Sequence, residues 1–329
     1  MNMKVNIYMQ LCMYYLLQHT REAESHSDAL DCQAFHTKRA IVFLAAKPSR
    51  AISLLVFILS VILSSFAMAN EQSKRIITLG SSITEIVFAL GAQERIAAVD
   101  STSRYPSKAT KLPNVGYFRA LNAEGVMALS PDLIILQEGS GPEPVLDVLR
   151  ASGIKMVEVK DEFTTEGVIA KIKQIGAALQ LSQEATRLAA KVENDFAATK
   201  SAIELNNQEE KPTVLYIIST MNGNIVAAGN NTSANAMIKM AGGTNVFGGI
   251  DGYKPVNAEA IIEAAPQIIV AMGRHGKVSV ETLMATPQLK RTPAVMNKKV
   301  YVMGGAYLLG FGPRAPQALE DLHRLIYAK

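Results

Sequence analysis

The chain has 329 residues, 49% hydrophobic and 19% charged, with 33 Lys and Arg against 29 Asp and Glu. That length allows two domains with their own cores, and a net charge of +4 supplies no basic stripe for nucleic acid. Both cysteines, Cys12 and Cys32, fall in the first tenth, so the rest of the chain holds no disulfide, thiolate metal site or cysteine nucleophile.

Residues 51–69 read AISLLVFILSVILSSFAMA, with Lys38, Arg39, Lys47 and Arg50 ahead of them. A basic flank, an apolar core and the small-x-small end Ala67-Met68-Ala69 predict a secretory signal peptide cleaved near Ala69, which directs the product to the periplasm. An uncleaved anchor is the competing reading, because the run approaches spanning length. No cysteine follows the run, so a lipid-anchored product is not expected. Residues 1–50 are of mixed polarity and longer than the lead-in a signal peptide needs, which places the expected translation start nearer the apolar run. Residues 1–69 are therefore set aside as leader and signal peptide, and residues 70–329 are close to neutral.

The remainder alternates. Residues 75–79 predict a strand, 83–90 a helix stopped at Gly91, and 96–99 a second strand. After a loop rich in Tyr, Pro and Asn, Asn122 caps a helix that ends before Ser130-Pro131. Strand 133–136, helix 143–151 and strand 154–159 follow. Such alternation argues for a parallel sheet covered on both faces. From residue 164 to about 207 the signal is helical only, and 182–205 contains no Gly or Pro. Twenty-four residues of helix reach roughly 36 Å, enough to bridge two lobes. A second lobe opens with strand 213–218; after a turn at 222–224, residues 225–228 lead to Gly229-Asn230-Asn231-Thr232, then come helix 233–240 and strand 299–303, and the lobe closes with helix 316–327.

The lobes echo one another. Residues 121–136 (LNAEGVMALSPDLIIL) and 256–271 (VNAEAIIEAAPQIIVA) align without a gap. The expected fold is α/β: two Rossmann-like lobes with mainly parallel sheets, at 70–181 and 208–329, joined by one long rigid helix at 182–207. A ligand cleft would lie between them.

Enzyme signatures are scarce. Ala241–Gly249 is glycine-rich but follows a helix, not a strand, and no Walker A, H-E-x-x-H or G-x-S-x-G sequence occurs. Only His275 and His323 lie beyond residue 69; His323 with Arg324 is expected on the surface of the last helix, and His275 sits in a loop. Tyr117 stands out, because it follows Gly116 in a loop with Arg119 two positions on. A guanidinium near the phenol would favour the phenolate, a hard oxygen donor suited to ferric iron. A half-buried loop tyrosine beside a surface arginine fits the spacing as well.

These residues carry a resemblance. Val115-Gly116-Tyr117-Phe118-Arg119-Ala120-Leu121 with Asn122-Ala123-Glu124-Gly125 is similar to the periplasmic haemin-binding proteins of bacterial ABC-type haem importers. These belong to the helical-backbone class of substrate-binding proteins that also serves cobalamin and ferric siderophores. Supporting segments are Ser81-Ser82-Ile83-Thr84-Glu85, Pro131-Asp132-Leu133-Ile134, Ala227-Ala228-Gly229-Asn230-Asn231-Thr232 and Phe311-Gly312-Pro313-Arg314.

The resemblance implies a non-catalytic monomeric receptor for haem b, as ferric haemin, delivered to an inner-membrane ABC permease with its ATPase. It makes Tyr117 the axial iron ligand and Arg119 its support. Glu143 and Glu281, with Glu259 as the alternative to the latter, are the implied permease-docking acids. Some relatives offer a second-lobe histidine near residues 219–223, where this chain has none, so five-coordinate iron is expected. Tyr253, the repeat partner of Tyr117, is a candidate for the opposite wall. Met221 and Met303 are candidates for the porphyrin face, with a core role as the alternative, and Arg104, Lys254, Arg274 and Arg314 for the propionates; His275 is a further cleft candidate. The rival readings are the same fold with cobalamin or a siderophore, and a two-domain α/β enzyme acting on a small metabolite.

Overall fold

The computed structural model describes residues 73–205, 210–220, 224–273 and 278–328. The leader and signal-peptide readings lie outside them, as do Met221, Arg274 and His275.

Four short strands build the first sheet: β1 (Ile76–Leu79), β2 (Ile96–Val99), β3 (Leu133–Gln137) and β4 (Lys155–Val159). They are parallel throughout, in the order β2-β1-β3-β4. β1 and β3 are apolar at nearly every position because both faces of the sheet are covered. Ile77, Leu79, Ile134 and Leu136 pack on the side that also receives Phe118, Leu121, Leu146 and Leu149. Ile76, Leu133 and Ile135 face the other way, with Ile83 and Val87 of α1 (Ser81–Ala89). Gly91, at φ 76°, stops α1 as its position suggests. The remaining helices of this half are α2 (Ala123–Met127), α3 (Glu143–Ala151) and α4 (Thr165–Leu179).

α5 (Ser182–Leu205) runs uninterrupted for 24 residues. Its buried positions, Ala185, Ala189, Val192, Phe196, Thr199 and Ile203, recur every three or four residues and form one stripe. Small residues at the start of that stripe let α4 approach closely: a Cβ on Gly176 would stand 2.1 Å from the Ala185 Cβ. The stripe joins side chains of both sheets in one continuous core, from Ile76 in β1 to Tyr216 in the second sheet.

The second half comprises β5 (Thr213–Ser219), β6 (Ile225–Ala228), α6 (Ser233–Met240), β7 (Thr244–Asn245), β8 (Tyr253–Val256), α7 (Ala258–Ala264), β9 (Ile268–Gly273), α8 (Val280–Ala285), α9 (Pro293–Met296), β10 (Val300–Gly304), α10 (Gly305–Leu309) and α11 (Ala315–Ile326). Its sheet has the order β10-β9-β5-β6-β8, with β7 also on β5. The pairs β10–β9, β9–β5 and β5–β7 are parallel, whereas β6 is antiparallel to both β5 and β8.

The internal repeat is structural. Asn122 and Asn257 each cap a short helix, accepting from Gly125 N–H and Ala260 N–H, and each helix leads into a central strand, β3 or β9. The short parallel β5–β7 pairing repeats β1–β2. The β6–β8 pair has no counterpart in the first sheet, so the second is mixed. Tyr253 therefore stands on a strand, while its repeat partner Tyr117 stands in a loop.

Candidate functional site

In a parallel sheet the connections leaving the carboxyl ends of the strands form the binding edge. The connection after β2, residues 100–122, carries Tyr117 and Arg119. Its base is tied down by Asp100, which is fully buried. Asp100 accepts from Gly80 N–H at 3.1 Å and Ser103 Oγ at 2.6 Å through one oxygen, and from Thr102 N–H at 3.0 Å and Thr102 Oγ1 at 2.7 Å through the other. Residues 113–116 then run back beside β2, with Val115 N–H on Val99 O at 3.0 Å and Ser101 N–H on Gly116 O at 2.8 Å. Gly116 turns the chain at φ 91°, a conformation costly for any residue with a Cβ.

Past that turn, side chains alternate. Phe118 is 7% exposed and plugs the sheet core, while Tyr117, 43% exposed, and Arg119 project outward on either side of it. The Tyr117 ring meets Phe118 edge-on at 4.9 Å, and the Arg119 guanidinium lies 5.1 Å from the Phe118 centroid. Phe118 O accepts from Gly141 N–H and Gly141 O accepts from Leu121 N–H, both at 2.9 Å, which fastens the loop to the turn after β3. The tyrosine and arginine are thus held on a buried aromatic peg, with the Tyr117 side chain exposed.

Tyr253 stands in the second lobe, on β8. Burial pushes the Tyr253 phenol above the usual tyrosine range, and hydrogen bonds from Ser233, the Ala234 N–H and Thr232, with the charge of Arg119, work against that rise. Ser233 Oγ lies 3.3 Å from the Tyr253 hydroxyl. Behind Tyr253, fully buried Tyr216 is pushed well above the tyrosine range by burial first and by Tyr253 second, and its hydroxyl has no hydrogen-bond partner among the described residues.

Other candidates fall elsewhere. Arg104 and Lys254 are exposed. Met303 is 7% exposed and packs in the main core, which is the plainer of its two readings. Arg314 is engaged by Glu85, its Nε 3.0 Å and Nη2 2.9 Å from the two carboxylate oxygens, with its backbone N–H 3.1 Å from Oε1. This pairing was not legible in the sequence, although Glu85 and Arg314 end two of the segments that carry the family resemblance. Glu143 is exposed and pairs with Arg150 at 2.6 Å, and Arg150 also holds Asp147 at 2.8 Å. Glu281 and Glu259 lie in the first turns of α8 and α7, and backbone and Ser279 hydrogen bonds hold the exposed Glu281 carboxyl below the usual range.

His323 corrects an expectation. It is 6% exposed, with Nδ1 2.9 Å from Ala241 O and its ring 4.6 Å from that of Tyr327, whereas Arg324 is on the surface. His323 lies four residues after Leu319 and three before Ile326 on the buried face of α11, so the helical period contained the signal.

A concavity of about 290 Å³ between α4 and α5, lined by Thr165, Ile169, Lys173 and Glu193 among others, contains none of these residues. Among the described residues no group of three or more His, Cys, Asp or Glu could hold a metal ion, and no helix is long and apolar enough to cross a membrane.

A family description, periplasmic binding protein, matches residues 76–307. Among solved structures, the apo form of the periplasmic heme-binding protein RhuT from Roseiflexus sp. RS-1 is 36% identical with a TM-score of 0.73, covering 78% of this chain and 98% of that one. The vitamin B12-binding protein of Vibrio campbellii is 30% identical over 222 residues, 67% of this chain and 78% of that protein. An uncharacterized ABC transporter substrate-binding lipoprotein, YvrC, of Bacillus subtilis is 26% identical over 260 residues, 78% of this chain and 81% of that protein.

Proposed function

Because the chain belongs to the periplasmic binding protein family, we propose that it is a monomeric receptor that binds haem, as ferric haemin, and delivers it to an inner-membrane ABC permease for uptake. Tyr117 is the axial ligand to the iron and Arg119 its support. The observation that carries this reading is the exposed phenol of Tyr117, held out on the Phe118 peg beside the Arg119 guanidinium. A phenolate oxygen is a recognised donor to ferric haem. The likeness to a heme-binding protein at 36% identity supports the same cargo, and the likeness to a transporter lipoprotein supports the permease as partner. Most of the affinity comes from apolar burial of the porphyrin, with few polar groups fixing its orientation. Glu143 on the first lobe and Glu281 or Glu259 on the second dock on the permease. The protein is a carrier and performs no catalysis.

The test is an absorption titration of the purified protein with ferric haemin, beside the Tyr117→Ala variant. The expected result is saturable binding with the spectrum of tyrosinate-ligated ferric haem, lost in the variant. Binding whose spectrum ignores the substitution moves the iron to another ligand, with Tyr253 next in line. A second reading, cobalamin as cargo, is favoured by the likeness to a vitamin B12-binding protein at 30% identity. Saturable binding of cyanocobalamin with none of haemin would establish it.

A further inference from the structure

Tyr105 lies in the same connection as Tyr117 and is 45% exposed, a large share for a ring of that size. It is nevertheless fixed. The Arg314 guanidinium carbon stands 3.4 Å from the Tyr105 centroid, and Glu85 holds that guanidinium through both carboxylate oxygens. The Glu85 side chain is only 8% exposed and that of Arg314 24%, so the pair is partly shielded from water. Tyr307 packs on the same guanidinium at 5.0 Å and donates its own hydroxyl to Asp321 at 2.7 Å. A planar fork with both arms occupied cannot swing, and the ring lying on it becomes a fixed plane.

Tyr105 and Glu85 come from the first lobe, Arg314 and Tyr307 from the second. The ring therefore sits at the seam between lobes, with Arg314 against one face. A cation against one face draws π density from the ring. The open face then suits offset stacking on a flat, electron-rich π-system. A puckered ring with axial groups on both sides cannot lie on such a plane.

We propose that Tyr105, backed by Arg314 and Glu85, is a stacking platform that selects a flat tetrapyrrole over a corrinoid. The proposal rests on the haem reading above, and metal-free protoporphyrin IX separates the two because it stacks without iron ligation. Tyr105→Leu is expected to bind ferric haemin and protoporphyrin IX about tenfold more weakly than the parent, while haemin at saturation keeps the tyrosinate spectrum. Tyr105→Phe and Tyr105→Trp keep a ring and are expected to stay within about twofold of the parent. Tyr117→Phe is expected to do the reverse, losing the tyrosinate spectrum with haemin and leaving protoporphyrin IX affinity unchanged. Tyr105→Met, a second ring-free variant, covers the case in which the Leu protein does not fold. Ring-free variants that bind protoporphyrin IX as tightly as the parent would overturn the platform and leave the haem reading standing. A parent that binds neither haemin nor protoporphyrin IX overturns the haem reading itself.

Discussion

The Lys171 side chain is 1% exposed, and its ammonium lies 2.6 Å from Asp161, 3.3 Å from Ser82 Oγ and 3.4 Å from Phe311 O. Asp161 is 15% exposed and also accepts from Gln137 Nε2 at 2.6 Å. The two partners are therefore unequal, and removing them should cost unequal amounts. Asp161→Asn strands a buried ammonium with only neutral oxygens around it, which costs about 3–5 kcal/mol. Lys171→Met leaves a carboxylate that still has Gln137 and some water, at a cost of about 1–2 kcal/mol. In a folded unit of this size each kcal/mol moves the melting temperature by about 2–4 °C. Asp161→Asn is thus expected to melt about 6–20 °C below the parent, and Lys171→Met about 2–8 °C below it. Thermal unfolding by circular dichroism at neutral pH reads both, together with the double substitution Lys171→Met/Asp161→Leu. The double should melt above the Asp161→Asn single, because no charge is then left buried. An Asp161→Asn protein that melts as high as Lys171→Met would refute the reasoning, as would a double whose loss equals the sum of the singles.

The buried phenols make stability depend on alkaline pH. Burial holds Tyr216, Tyr253 and Tyr307 above the usual tyrosine range, and in Tyr307 the Asp321 carboxylate adds to the rise. Their stabilising contribution is complete below about pH 10 and is lost as pH rises toward the folded values, because the unfolded chain gives up those protons first. Denaturant midpoints should fall steeply above about pH 10, and less steeply in Tyr216→Phe. At neutral pH Tyr216→Phe should raise stability by about 1 kcal/mol, since it removes a buried hydroxyl without a partner; a clear loss of stability would contradict that. Gly176→Ala should cost about 1–3 kcal/mol by forcing α4 from α5 at Ala185, and the swap Gly176→Ala/Ala185→Gly should recover most of it in the same melts.

Much of the architecture is local and was legible. The stop at Gly91, the caps at Asn122 and Asn257, and the Gly-free and Pro-free run of α5 follow from propensities acting within a turn or two. The gapless echo of residues 121–136 at 256–271 announced two related halves, and both copies form the same cap, helix and central strand. The Tyr117 loop was legible because Gly116 marks its turn and a single residue, the buried Phe118, separates the two projecting side chains.

Only the tertiary structure decided which distant side chains meet. Glu85 and Arg314 are 229 residues apart, and Lys171 is 140 residues from the carbonyl of Phe311. No periodicity relates such positions; their pairing depends on how α1, α4 and the segment before α11 dock across the interlobe seam. The same holds for Tyr253. Its sequence context repeats that of Tyr117, but pairing with β6 placed it on a strand beside the start of α6, where burial and the Ser233 hydrogen bond set its chemistry. Local sequence dictates what each segment becomes, and the packing of the lobes on one shared core dictates which of their polar groups must find each other.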